Sequence, residues 1–186
     1  MTKTAYLAGG CFWCITPAFR ETEGVTSVVS GYSGGSEADP SYADVKAQRT
    51  GHRETIAVTY DPERVGFDAL LALFLGSVDP FDDGGQFIDR GRSYTLAVYY
   101  TDEEQKAAAE AALSALRERS GREPCVSLEP FTAFWEAEEY HQDWDLKHPE
   151  AFEEELVSSG RKPLKETMSP KGSGSPKGTE PPKGAR

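Results

Sequence analysis

Long apolar runs are missing from this chain of 186 residues. A membrane-spanning role goes with them, because no stretch approaches the roughly 18 consecutive apolar residues that a span needs. The opening residues, MTKTAYLAGG, have too short an apolar part for a secretory leader. The expected compartment is therefore cytoplasmic, where disulfides are transient and catalytic more often than structural. Positive charge is scarce: 20 Lys and Arg stand against 31 Asp and Glu, a net of −11. Nucleic-acid binding needs a basic face to neutralise phosphates, so no nucleic-acid partner is expected. The acidity reads instead as solubility. Cysteine is rare and odd in number, at positions 11, 14 and 125, which gives no disulfide framework. A second Cys-x-x-Cys is absent, and a zinc site would need Cys125 plus His52, His141 or His148, so no metal is expected.

What is present suits one compact domain: 38% of the residues are hydrophobic and 27% charged, enough for a real core. Residues 169–186, SPKGSGSPKGTEPPKGAR, differ from everything before them. Pro-Lys-Gly recurs there at 170, 176 and 182 without a large aliphatic or aromatic residue. Such a segment cannot bury enough apolar surface to offset its ordering entropy, so residues 1–168 are the expected domain and 169–186 a flexible tail. The tail carries Lys171, Lys177, Lys183 and Arg186 against Glu180, leaving the domain itself more acidic still.

The domain reads as mixed α and β. AYLA is a short strand ended by Gly9-Gly10, and residues 11–22 look helical, with Phe12, Ile15 and Phe19 at helical spacing. VTSVVSGY and ETIAVTY are β-branched runs. GFDALLALFLGSV sets Phe67, Leu70, Leu71, Phe74 and Val78 on one helical stripe. SYTLAVYY is the next strand, after which Thr101 and Glu104 resemble a capping box opening a helix that Gly121 closes. That helix has a small-residue stripe of Ala108, Ala112, Ala115 and Leu116, and CVSLEP is a last strand with Cys125 expected in the core. The aromatic, acidic remainder is expected to wrap over the core, partly as helix. This order points to an α+β two-layer sandwich: helices on one mixed sheet, a ferredoxin-like core and a wrapped C-terminal extension.

GGCFWC holds the chemistry. A cysteine at the first turn after a strand and a Gly-Gly loop sits where free backbone N–H groups converge, so Cys11 is expected to have a lowered pKa. Cys14, one turn on, lies on the same face and within reach of disulfide closure. Two buried cysteines acting as small hydrophobes, or a thioredoxin-like redox pair, are the alternatives. The bulky Phe12 and Trp13 make sense beside a substrate that is small and apolar next to its reacting atom. The oxidised side chain of methionine fits: a polar S–O bond flanked by a methyl and a methylene.

GGCFWC, GYSGG, PSY, TGHRE, YDP, GQFIDRGRSY and EEYHQDW occur in this order, and together they resemble the A-type peptide methionine sulfoxide reductases, in the Cys-Phe-Trp-Cys subgroup. The likeness runs from about residue 5 to residue 165. It implies an enzyme reducing methionine S-sulfoxide, free or in proteins, as repair after oxidative damage. Cys11 matches the nucleophile, and Phe12 and Trp13 match the methyl pocket. Glu54 matches the acid facing the sulfoxide oxygen; without the flanking motifs it would read as an exposed carboxylate paired with Arg53 or Arg49. Tyr42 and Tyr94 match two phenols that hold the same oxygen, and Asp89 a nearby carboxylate, although Asp89 also suits a turn before Gly91. Cys14 takes the resolving role and thioredoxin, or a small dithiol, that of external reductant, with no bound cofactor and a monomer expected. Glu138 and His141 are expected to pack and hydrogen-bond. Thr16, and Thr95-Leu96 after Tyr94, depart from the family pattern.

Overall fold

The computed structural model describes residues 1–161; the expected boundary at 168 and the tail 169–186 lie outside the described residues. The first half of the described chain is β1 (Lys3–Gly9), α1 (Phe12–Arg20), β2 (Val25–Ser33), α2 (Tyr42–Lys46), β3 (Arg53–Tyr60) and α3 (Phe67–Ser77). Two-residue strands β4 (Gly85–Gln86) and β5 (Asp89–Arg90) then form a small hairpin, followed by a 3-10 turn at Arg92–Tyr94. The rest comprises β6 (Leu96–Tyr100), α4 (Glu103–Ser120), β7 (Val126–Pro130), β8 (Phe134–Glu136), a 3-10 turn at Glu139–His141, α5 (Trp144–Lys147) and α6 (Pro149–Ser158).

The main sheet has the order β7-β6-β1-β3-β2-β8. Its four central strands, β6-β1-β3-β2, are antiparallel to one another, and two helical crossovers link β1 to β2 and β3 to β6. That is the ferredoxin-like arrangement. The parallel pairing of β6 with β7 makes the sheet mixed. The sequence reading misses β8, which extends the sheet beyond β2 through Tyr32 and Trp135. Its three residues are too few to display an alternating pattern.

Strand periodicity decides which side chains face which layer. Ala5 and Leu7 of β1, Ile56, Val58 and Tyr60 of β3, and Leu96 and Val98 of β6 join the main core. Phe12, Ile15 and Phe19 of α1 meet them from above, with Leu70, Leu71, Phe74 and Val78 from α3 and its end. All three α1 positions are buried, so the helical spacing reads correctly. The opposite face carries Ala8, Ala97 and Tyr99, covered by Tyr6 and Phe131, whose rings stack at 4.0 Å.

Local details shift by a residue or two. The cap of α4 is Asp102, which accepts from the Gln105 N–H, while Gln105 accepts from the Thr101 N–H. The capping box is thus displaced by one from the expected Thr101–Glu104 pair. Ala109 rather than Ala115 lies on the buried stripe of α4, and Gly121 closes the helix in the left-handed conformation, as expected. Cys125 is half-buried and precedes β7 instead of sitting in the core. Its N–H donates to Pro80 O at 2.6 Å, holding it at the end of the sheet where it borders Arg53, Arg92 and Thr95. No helix among the described residues is long and apolar enough to cross a membrane.

Candidate active site

The turn between β1 and α1 starts the site. Gly10 has φ +77°, and a side chain there would bring its Cβ within 2.6 Å of Gln86 Cβ. Only glycine lets the strand turn so sharply against the β4-β5 hairpin. Cys11 follows as the cap of α1, buried, with Phe12 fully inside the core and Trp13 half-exposed. Cys14 lies one turn on and is half-buried, its N–H donating to Cys11 O at 3.1 Å.

Glu54 reaches the same point from β3. The alternation that aims Ile56 and Val58 under α1 aims Glu54 there as well, two residues nearer the strand start. Its carboxyl is 2% exposed, and Oε2 accepts the Phe12 N–H at 3.1 Å. The bond joins the carboxyl to the first helical N–H after Cys11. Arg53 faces the other side of the sheet, bonding Tyr99, Thr95 and Glu129, and Arg49 pairs with Asp44. The alternative reading of Glu54 as an exposed ion-pair partner is therefore wrong. Burial dominates its titration: despite the Phe12 N–H, the pKa rises to about 8. Asp89 pushes in the same direction, and Lys46 and Arg161 oppose it. At pH 7 that leaves about ten protonated carboxyls for each ionised one.

The Cys11 thiol corrects the expectation of a lowered pKa. Contact with Cys14 and burial push it well above the ordinary thiol value, with the Glu54 charge adding to the rise. A helix N-terminus favours an anion by only a modest amount. Loss of water around a fully enclosed thiol outweighs it. The resting site thus holds a neutral thiol beside a neutral carboxyl.

Tyr42 opens α2 and Tyr94 ends the 3-10 turn before β6. Both feel the Glu54 and Cys11 charges, and burial, the leading cause, pushes both phenols upward. Each remains a neutral donor, with no hydrogen bond from its hydroxyl to another described residue. Glu138 fixes Tyr42 by accepting its backbone N–H at 2.8 Å, and accepts the Tyr32 hydroxyl at 2.8 Å as well. Asp89 sits in the β4-β5 hairpin and accepts from Arg161 Nη2 at 2.8 Å.

The walls are aromatic. Trp13 stacks on Trp144 at 4.1 Å and 8°, and His141 lies within 5.1 Å of Phe12, 5.5 Å of Trp13 and 4.3 Å of Tyr42. Burial lowers the His141 pKa to about 4, and neither ring nitrogen has a hydrogen-bond partner among the described residues, with Glu138 Oε2 3.8 Å from Nε2. Packing is as expected for His141; hydrogen bonding is not found, whereas Glu138 supplies it. The structure brings together Cys11, Phe12, Trp13, Cys14, Glu54, Tyr42, Tyr94 and Asp89. Cys125 stands apart, at the groove bordered by Arg53 and Arg92. Trp144 was legible only as part of EEYHQDW, and Arg161 carried no sequence signal. Thr16 turns its hydroxyl back to Phe12 O at 2.7 Å, and Thr95 accepts from Arg53 and donates to Arg92 O. Leu96 is buried in the main core, so these departures serve backbone and packing. No three His, Cys, Asp or Glu side chains among the described residues converge as metal ligands.

A ferredoxin-like α+β fold carrying two neighbouring thiols beside a buried carboxyl has the makings of an oxidoreductase site. Residues 3–172 match the family described as peptide methionine sulfoxide reductase, and the chain belongs to that family. It is 44% identical over 170 residues to peptide methionine sulfoxide reductase MsrA 2 of Staphylococcus aureus, a match spanning 90% of this chain and 96% of the relative. With MsrA of Halalkalibacterium halodurans it shares 46% over 162 residues, 86% and 92% of the two chains. Among solved structures, reduced Mxr1 of Saccharomyces cerevisiae matches with a TM-score of 0.75 at 26% identity, covering 80% of this chain and 87% of that one.

Proposed function

We propose that this protein reduces the S epimer of methionine sulfoxide, free or in proteins, through a sulfenic acid on Cys11 that Cys14 resolves. One observation carries the reading: the Glu54 carboxyl, raised to a pKa of about 8, is tied by the Phe12 N–H to the residue beside Cys11. A sulfoxide oxygen leaves sulfur only when it gains a proton, and a neutral carboxyl next to the attacking thiol supplies one. The substrate methyl lies against Phe12 and Trp13, and its oxygen faces Glu54, Tyr42 and Tyr94. The phenols donate hydrogen bonds to developing negative charge without adding charge of their own.

The steps balance. Cys11 loses its proton to solvent and its thiolate attacks the sulfoxide sulfur, forming a sulfur–sulfur bond, while Glu54 protonates the oxygen. That hydroxyl moves to the Cys11 sulfur as the S–O bond of the substrate and the new sulfur–sulfur bond break, methionine leaves, and a proton from solvent restores Glu54. Cys11 is oxidised to a sulfenic acid and the sulfoxide is reduced to a thioether. The Cys14 thiol then attacks Cys11, releasing water and forming a disulfide. Cys14 is half-buried at the open end of the pair, where an external dithiol reaches it. Yeast Mxr1 has been solved in complex with Trx2, and thioredoxin is the reductant we assign, acting on a cytoplasmic monomer in the repair of oxidised proteins.

Reduced protein incubated with a racemic methionine sulfoxide peptide tests this reading. One epimer is consumed, one methionine forms per site before reductant is added, and one intramolecular disulfide appears by mass. Disulfide exchange without sulfoxide loss makes the chain a general dithiol oxidoreductase instead. Binding without turnover reduces it to a module for methionine-like side chains.

A further inference from the structure

Arg161 is the last described residue, just beyond α6, and is 6% exposed. Ionised guanidinium groups are seldom buried so deeply without paired partners. Nη2 has its partners: Asp89 Oδ2 at 2.8 Å and Gln86 O at 3.2 Å. The guanidinium also lies over the Phe87 ring at 4.7 Å. Nη1, buried beside it, has no partner among the described residues. A buried cation whose second nitrogen is tethered and whose first is unpartnered must owe its charge to its surroundings.

Position answers part of that. Nη2 lies 3.8 Å from where a Cβ on Gly10 would stand, and Gly10 precedes Cys11 directly. The guanidinium therefore stands in van der Waals range of the turn that leads into α1. We propose that Arg161 is a positioning residue, the buried counter-charge that holds the Cys11–Cys14 pair in its anionic form when the Cys11 proton leaves. It acts through the thiols and does not touch substrate. This deepens, and rests on, the reading of Cys11 as the attacking thiol.

The surrounding charges agree with that orientation. Cys14 from α1 and Glu54 from β3 both disfavour the Cys11 thiolate, and Arg161 is the cation that favours it. Tyr42 from α2 and Tyr94 from the 3-10 turn face the same thiol as neutral phenols. His141, from the turn after β8, is neutral near pH 7. Burial works against the Arg161 charge, but Cys14, Cys11 and Asp89 more than compensate. Asp89 occupies the Nη2 side of the ion pair. Nη1 has no hydrogen-bond partner among the described residues.

Two substitutions in the full chain separate charge from packing. Arg161→Gln keeps hydrogen-bonding groups and removes the charge; Arg161→Lys keeps the charge. The readout is the pH dependence of iodoacetamide alkylation at Cys11, mapped by peptide mass without any sulfoxide present, with melting curves to establish folding. Arg161→Gln is expected to move the Cys11 midpoint to higher pH by about one unit, slowing alkylation near neutrality about tenfold. Arg161→Lys is expected to stay close to the parent. An unchanged midpoint in folded Arg161→Gln overturns the proposal, as does an equal shift in both variants. Because no substrate is used, failure here is distinct from failure of sulfoxide reduction in the parent protein.

Discussion

Replacing Cys11 with serine is expected to abolish methionine sulfoxide reduction to the uncatalysed level, in single as well as multiple turnover. The reason lies in the chemistry of the acceptor. Sulfur accepts the sulfoxide oxygen as a sulfenic acid, whereas a serine hydroxyl would have to form an oxygen–oxygen bond. Cys14 does not stand in, because the carboxyl is tied to the Phe12 N–H at the Cys11 end of the turn. Folding is expected to survive, since the swap is nearly isosteric and the site sits at a helix cap. Burying the new hydroxyl costs about 1–3 kcal/mol if it finds no partner. Thermal melting reads that cost separately from activity. Retained single-turnover reduction in a folded Cys11→Ser protein would transfer the attacking role to Cys14 or Cys125.

Glu54→Gln is the second large effect. The amide preserves shape and, through its carbonyl oxygen, still accepts the Phe12 N–H. It has no acidic proton to give to the leaving oxygen. The sulfoxide step should slow by about 10²–10⁴-fold, while thioredoxin reduces the Cys11–Cys14 disulfide at the parent rate. The pH profile gives a further test. Glu54 ionises at about 8, and Cys11 lies well above the ordinary thiol value. The productive form, thiolate with protonated carboxyl, therefore carries its remaining proton on the more acidic group. Its population rises as the coupled pair loses its first proton and is level until the second is lost. Accordingly kcat/KM for the parent climbs with pH to about 8 and then levels, falling only in stronger alkali. In Glu54→Gln the limb near 8 disappears, leaving the Cys11 titration alone, shifted downward because the Glu54 charge that opposed it is gone. A limb near 8 that survives the substitution would belong to another group.

Much of this fold was readable because its patterns are long. The α1 stripe of Phe12, Ile15 and Phe19, the α3 stripe around Leu70 and Phe74, and the β-branched run of β3 each repeat enough times to declare a period. The β8 strand does not, with three residues whose pairing to β2 depends on Tyr32 and Trp135 meeting in space. The displaced cap of α4 has a similar cause: Thr101, Asp102, Glu104 and Gln105 offer two overlapping boxes, and packing of the buried Gln105 selects the second.

Within the site, residue types at fixed spacing were legible and environment was not. Cys11, Cys14 and Glu54 announce themselves through their motifs. The sequence points the Cys11 titration the wrong way because the helix N-terminus is visible in it, while enclosure beside Cys14 and Glu54 is a property of three dimensions. Arg161 shows the same limit from the other side. It stands 150 positions from Cys11 along the chain, in no recognisable motif, and reaches the site only because α6 folds back to the β4-β5 hairpin. Cys125 reads as a core residue from its place in the CVSLEP strand, but the chain leaves it half-buried just ahead of β7.

Oxygen transfer to Cys11 is the step on which the account stands, and heavy-oxygen labelling observes it directly. Cys14→Ser protein, in which the expected resolving thiol is gone, is mixed with methionine S-sulfoxide carrying heavy oxygen, and the mass of each cysteine-bearing peptide is read. The account predicts about one methionine per site and one heavy oxygen on Cys11 as a sulfenic acid, with Cys125 still a free thiol. Methionine formed with no label on Cys11, or with the label on Cys125, would contradict it.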